Sequence, residues 1–277
     1  MKGLNPPDID YRELYKKAIS QTQRNVDRAI LAAMEDRMVA AATAYDTVMQ
    51  THGPHMVMQI PMTAQEDALA KRLYELRIVS TKGICRSTYD DIRVSAASCP
   101  FCLDGEVYEV DHFLPQAHHH DIVMYPGNLV PICHPCNHIK LELQPVDAQN
   151  SLLHPYFDRL PELPWLFAEL SRKADGPVLN YWVDLDAAEH GTIAPRLAYH
   201  FTTLELDRRM RERSAKMLVE LQADVESYLA GVGQEGLKAH FASEAERIYR
   251  RHGNTLEAAA YLAASNNDAF CAGEYKN

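Results

Sequence analysis

Apolar residues recur at helical spacing through most of this chain. Between residues 8 and 51 they stand at Leu14, Ala18, Val26, Ile30, Met34, Met38, Tyr45 and Val48, mostly in multiples of three or four. That period places them on one face of a helix. Pro6-Pro7-Asp8 is a start signal with Asp8 as the N-cap, and Thr51-His52-Gly53-Pro54 ends the pattern. Thr63 opens a second helix carrying Ala68, Leu69, Leu73 and Leu76, and a shorter one follows Ser87 with Tyr89, Ile92 and Val94. Further on, Pro161 to Lys173 reads as a helix with Trp165, Leu166 and Leu170 on one side, and Val178 to Leu185 as a strand. Thr202-x-x-Glu205 reads as a capping box. The helix it opens runs through Leu206, Met210, Met217, Leu221, Val225 and Tyr228 until Gly231 and Gly233 stop it. Two more helices fill 234–264, and the polar tail from Ser265 is expected to be loose.

Residues 99–142 interrupt this helical text. They hold four of the six cysteines, a run of histidines and several Pro and Gly residues. Glu106-Val107-Tyr108-Glu109-Val110 alternates polar and apolar, a strand signal. A compact Cys/His stretch between helical regions points to a module built around a metal.

Composition narrows the class. Hydrophobic residues make up 47% and charged residues 24% of 277, as in ordinary globular chains. No apolar run approaches the ~20 residues needed to span a bilayer, and MKGLNPPDID lacks the apolar core of a signal peptide. A soluble, cytoplasmic protein with no membrane partner is expected. The net charge of −10 argues against a free-standing nucleic-acid binder, because phosphate is normally neutralised by Lys and Arg.

The cysteines argue the other way. Cys99-Pro-Phe-Cys102 and Cys133-His-Pro-Cys136 have the C-x-x-C…C-x-x-C spacing of a closed tetrahedral zinc site. A redox reading needs only one such pair beside a βαβ pattern. Cys85 and Cys271 read as small buried residues. Between the pairs lie Asp111-His112, Leu114-Pro115 and Asn128-Leu129-Val130-Pro131, and Asn137 and Lys140 follow Cys136. A histidine near its neutral pKa suits proton abstraction from water. A carboxylate and an amide carbonyl are the oxygen donors that a hard divalent cation takes.

This order resembles the HNH endonuclease family, the ββα-metal nucleases, over about Cys99 to Leu143. The resemblance implies a mainly α chain with a small central ββα-metal module clamped by a four-cysteine structural Zn2+. It implies His112 as general base, Asp111 and Asn137 as ligands of a catalytic Mg2+ or Mn2+, Asn128 as the residue that holds the loop and orients His112, and Lys140 as a contact to phosphate or leaving group. DNA would be cut to 5′-phosphate and 3′-hydroxyl ends, with RNA as a possible substrate of a variant. Asn137 stands where the family name expects a third histidine. Leu141 stands where some members carry a helix histidine, so a histidine cage is not expected. A softer resemblance covers about 85–220 and includes Leu153-His-Pro-Tyr-Phe-Asp158. It is to bacterial antiphage-defence HNH proteins like the nuclease subunit of Septu-type systems, which implies a defence or restriction-type setting with an ATPase-type partner.

The expected division is an N-terminal helical region at 1–84, the module at 85–150, a mainly helical region at 151–265 and a flexible tail at 266–277. A non-catalytic zinc-stabilised scaffold is the competing reading, since a scaffold needs only the cysteines. The module at 99–140 carries one basic residue, Lys140, against Asp104, Glu106, Glu109, Asp111 and Asp121. Binding charge must therefore come from elsewhere, or from a partner or oligomer. The candidate patches are Lys71, Arg72, Arg77, Lys82 and Arg86; Arg208, Arg209, Arg211, Arg213 and Lys216; and Arg247, Arg250 and Arg251. The run His118-His119-His120 reads as an exposed loop, and His134 and His138 as incidental to the knuckle or phosphate-contacting.

Overall fold

The computed structural model describes residues 3–173 and 176–275. The chain divides into two compact units, Met1–Leu160 and Pro161–Asn277. Most of it is helical, with two small antiparallel sheets.

In the first unit, helix α1 (Tyr11–Ser20) is capped by Asp10, whose carboxylate accepts from Glu13 N at 3.1 Å. Asp8 is thus not the N-cap. The single helix expected over 8–51 is broken at Gln21–Arg24, where α1 turns back before α2 (Asn25–Thr51). The polar run Ser20-Gln21-Thr22-Gln23 makes that turn without burying anything, and Tyr15 then donates to the Leu31 carbonyl at 3.0 Å across the hairpin. Helix α3 (Ala64–Tyr74) opens on a complete capping box between Thr63 and Glu66. It widens into a π-helical turn over Glu75–Val79, and α4 (Arg86–Val94) follows.

Strand β1 (Glu109–His112) pairs antiparallel with β2 (Leu129–Ile132), with Glu109 opposite Ile132 and His112 opposite Leu129. Helix α5 (His134–Lys140) follows directly. Val110 and Leu129 from these strands join Tyr15, Leu31, Met34, Met38, Leu73 and Ile78 in one buried core. The helices of 1–84 and the strand–strand–helix segment therefore share an interior. A short Cys-rich segment buries too little area to be stable alone, and here the N-terminal helices supply what it lacks.

In the second unit, Leu166–Lys173 is strand β3, not helix. It pairs in register with β4 (Gly176–Val183), Leu166 opposite Val183 and Leu170 opposite Leu179. The spacing of four between Leu166 and Leu170 fits a period of two as well as 3.6, so periodicity alone misreads it. Helices α6 (Ala187–His190) and α7 (Ile193–Thr203) come next. Thr202 and Glu205 form no capping box. Glu205 sits at φ 52°, left-handed, between α7 and α8 (Leu206–His252), and its carboxylate turns to Arg208. A left-handed residue cannot occupy the third helical position the box requires. The long α8 is broken at Gly233 (φ 69°), as the glycines suggest. After α9 (Leu256–Ser265) the tail is not loose as far as it is described. Asn267 caps a short α10 (Asp268–Cys271) that buries Phe270 and Cys271. Among the described residues no helix is long and apolar enough to cross a membrane.

Candidate metal centre and active site

The four cysteines converge. Their sulfur atoms all lie within 4.8 Å of one another, all four residues are buried, and no disulfide joins them. Cys102 Sγ and Cys133 Sγ are 3.7 Å apart. A tetrahedron with metal–sulfur bonds of about 2.3 Å has edges close to that length. Two knuckles build the cradle. In the first, Cys99 N donates to the Gly105 carbonyl at 2.7 Å, and Leu103 turns through φ 70° to donate to the Cys99 carbonyl. Gly105 N donates to Cys102 Sγ at 3.3 Å. A Cβ at Gly105 would lie 2.8 Å from both Cβ and Sγ of Cys133, so only glycine lets the two halves close. In the second, Cys133 precedes α5 and Cys136 lies in its first turn. Crowding sets the thiols against each other. Hydrogen bonds from Cys133, Cys136 and Cys99 hold the Cys102 thiol far below its usual range, and the same contacts push Cys136 and Cys99 up. A soft dication would let all four ionise together. This buried cluster could hold a structural metal such as zinc. Cys85 and Cys271 are buried outside it.

The cradle fixes α5 against β1, and this face collects most of the remaining candidates. Successive side chains of β1 alternate sides, as any strand requires. Glu109 and Asp111 are half-buried towards one side, Val110 and His112 buried on the other. Asp111 Oδ2 meets Lys140 Nζ from α5 at 2.7 Å, and the same ammonium donates to the His112 carbonyl at 2.6 Å. Lys140 is 1% exposed. The expectation that it reaches phosphate is therefore corrected: it is a buried ion-pair partner that ties helix to strand. Asn137 donates its amide to Glu109, which also accepts from His134 Nδ1 at 2.8 Å. The Asn137 amide oxygen is not used in that bond.

His112 is 4% exposed. Its Nε2 lies 2.8 Å from the Val123 carbonyl. A carbonyl only accepts, so Nε2 carries the proton and a neutral ring keeps its lone pair on Nδ1. Burial lowers the His112 pKa, which keeps the ring neutral, although the Val123 hydrogen bond and Asp111 pull the other way. The Tyr74 ring packs on the imidazole with centroids 4.6 Å apart. Asp111 is among the charges that raise the Tyr74 hydroxyl, after burial.

Asn128 stands behind the base, fully buried. Its Oδ1 accepts from Leu114 N at 2.8 Å and its Nδ2 donates to the Leu114 carbonyl at 3.0 Å. The Asn128 carbonyl accepts from Phe113 N at 2.7 Å. The loop between β1 and β2 is thus closed at its neck just beyond His112. Tyr45 adds a bond to Asn128 Oδ1 at 3.3 Å and lies 3.0 Å from His154 Nε2. His154 Nδ1 accepts from Tyr156 N, so its Nε2 is the donor to Tyr45. The Leu153–Asp158 motif therefore buttresses the neck of this loop from outside the strand–strand–helix segment.

The histidine run differs from its reading as an exposed loop. His118 is exposed, but His119 is buried and His120 Nδ1 lies 3.3 Å from Asp67. His138 is exposed and stacks near His134. Sequence reasoning missed Glu109, Val123, Tyr74 and Tyr45. Glu109 alone left a signal, two positions before Asp111 and so on the same strand face. Val123 acts through its backbone, and the two tyrosines come from helices far away in sequence.

Protein ea31 of Escherichia phage lambda is 31% identical over 176 residues, which cover 62% of this chain and 59% of that protein. No family model and no solved structure matches the chain.

Proposed function

We propose that the chain is a metal-dependent endonuclease of the HNH type acting on DNA. The observation that carries this reading is the state of His112. Its Nε2 is fixed by a backbone carbonyl, its ring is held neutral by burial, and it sits beside Asp111 at the end of a strand braced by the cysteine cradle and by Asn128. That is the arrangement a general base needs: correct tautomer, fixed ring plane, free lone pair.

His112 Nδ1 takes the proton from a water as its oxygen attacks phosphorus. The P–O3′ bond breaks opposite the incoming oxygen, leaving a 5′-phosphate and a 3′-hydroxyl once the leaving oxygen is protonated. The second carboxylate oxygen of Asp111 and the Asn137 amide oxygen fit a hard divalent cation, Mg2+ or Mn2+, which would neutralise charge on the phosphate and the leaving oxygen. The four cysteines would hold Zn2+ in a structural role.

The test is plasmid cleavage with Mg2+ or Mn2+, comparing the wild-type chain with His112→Ala. Loss of the base is expected to slow cleavage by about 10²–10⁴-fold. Equal rates, or no cleavage by the wild type, defeat the reading, and cleavage of RNA alone in a parallel arm would reassign the substrate.

A further inference from the structure

The acidic strand–strand–helix segment has no charge of its own to hold DNA, and the basic patches elsewhere are not equivalent. On α8, Arg208 pairs with Glu205 and Glu212, and Arg211 with Asp207. Arg247 pairs with Glu244 and Arg250 with Glu246. Those guanidinium groups are already neutralised on their own helices. The stretch 71–86 is different. It carries Lys71, Arg72, Arg77, Lys82 and Arg86 against one acid, Glu75. Among the described residues, only Arg86 of this stretch is spent in an ion pair, with Asp90 at 3.0 Å. Lys71, Arg72 and Lys82 are exposed and have no ion pair among the described residues.

This stretch also borders a concavity. A pocket of about 260 Å³ is lined by Arg24, Arg72 and Arg77, by Gln21 and Thr22 of the α1–α2 turn, and by a leucine floor that includes Leu73. Asp27 also lines it and is partnered by Arg24 at 3.5 Å. Arg77 reaches across to the Gln21 carbonyl at 2.8 Å, while its Nε is sealed from solvent with no partner. The π turn over Glu75–Val79 carries Arg77, and Gly83 packs so closely that a Cβ there would be 2.3 Å from the Arg77 carbonyl. The arginine is therefore held on a fixed backbone. Guanidinium groups, an amide and a hydroxyl around one hollow are the donor set that takes phosphate oxygens. The residue after Leu73 is Tyr74, whose ring rests on His112.

We propose that this face, Lys71, Arg72, Arg77 and Lys82 with Arg24 across the hollow, is where the duplex DNA backbone docks, seating one phosphate among the arginines. The inference rests on the nuclease reading for its substrate, but it concerns binding and not cleavage. Helix α3 then carries backbone contacts on one side and the packing of the base on another.

The experiment measures binding of a labelled DNA duplex by fluorescence anisotropy across a salt series, with the full chain carrying His112→Ala so that nothing is cut. Lys71→Glu/Arg72→Glu is the main variant, because neither side chain has a partner whose loss would disturb folding. Arg77→Gln and a control, Arg208→Gln/Arg247→Gln, accompany it, each with a thermal melt. The expected result is at least tenfold weaker binding for Lys71→Glu/Arg72→Glu. Its slope of log affinity on log salt should be shallower by about one per lost phosphate contact. The control should bind like its parent. Unchanged affinity in the 71/72 variant, a loss confined to the control, or binding of RNA but not DNA overturns the proposal. Cleavage by the wild type is followed separately. DNA held by this face but never cut defeats the nuclease reading and leaves the docking face standing. DNA cut equally well with the face reversed does the opposite.

Discussion

Lys140 Nζ lies 2.7 Å from Asp111 Oδ2 and 2.6 Å from the His112 carbonyl oxygen, with the lysine 1% exposed. One ammonium thus ties the last turn of α5 to both residues at the end of β1. A charge taken this far from water is tolerable only while its partners stay in place. Lys140→Met should remove about 3 kcal/mol of stability, the lower part of the range for breaking a buried pair, because Asp111 keeps some contact with water. Asp111→Leu should also destabilise, and Lys140→Met/Asp111→Leu should be less damaging than the sum of the single changes. Urea denaturation of the four proteins measures this cycle. Strict additivity would mean that the pair does not act as a unit.

The same pair shows where the sequence was readable. The cysteine spacing and the helix start at Thr63 are local, short-range signals, and each is found where the pattern puts it, whereas the strand expected over 106–110 is displaced towards the C-terminus and runs Glu109–His112. Lys140 was legible as a helix residue but not as a buried one. Its fate depends on which way α5 rolls on β1, and the cysteine cradle sets that. Leu166–Lys173 failed for a different reason: an apolar spacing of four satisfies two periods, and only pairing with Gly176–Val183 decides between them. Tyr74 and Val123 could not be read at all, since a ring from α3 and a main-chain carbonyl carry no motif.

Asn128 gives a second quantitative expectation. It makes two hydrogen bonds to Leu114 and receives a third from Tyr45, all in a fully buried site. Asn128→Ala leaves the Leu114 amide and carbonyl without partners, each costing about 1–3 kcal/mol when buried. A loss of roughly 3 kcal/mol is expected. Asn128→Asp keeps the acceptor for Leu114 N but turns a carboxylate oxygen towards the Leu114 carbonyl in a fully buried site, so it should cost at least as much as Asn128→Ala. Tyr45→Phe removes the longest of the three bonds and also the acceptor of the His154 Nε2 proton, so it should cost about 2 kcal/mol. Thermal and urea unfolding rank the three variants. A ranking with Tyr45→Phe as the worst would show that the Tyr45–His154 contact carries the loop instead.

The cysteine cradle predicts one tightly held metal per chain. Elemental analysis of the purified protein should find zinc near one equivalent, and Cys133→Ser should lower the content and the melting temperature together. Stripping with a strong chelator is expected to destabilise the first unit, because the bonds that join the two cysteine knuckles through one ion are then lost. A metal-free protein with an unchanged melt would show that the core shared with α1–α4 suffices without the clamp.

His119 supplies the pH prediction. Its ring is buried, its Nδ1 is sealed without a partner, and burial lowers its pKa to about 4, with His118 and His120 adding like charge and Gln144 opposing. An unfolded histidine titrates near 6.5. Between those two values the unfolded chain binds a proton that the native chain excludes, so stability rises with pH across the window. The contribution is complete above about pH 6.5 and is lost as pH falls towards 4. It amounts to at most about 3 kcal/mol, at 1.36 kcal/mol per pH unit. Asp121, in the next turn, has a carboxyl raised by burial and acts in the opposite sense, so wild-type data alone mix the two. The comparison that isolates His119 is the difference between wild type and His119→Gln in urea midpoints at pH 7 and pH 5. The variant should lose less stability than the wild type on acidification. Equal losses in the two proteins would assign the acid sensitivity to other groups.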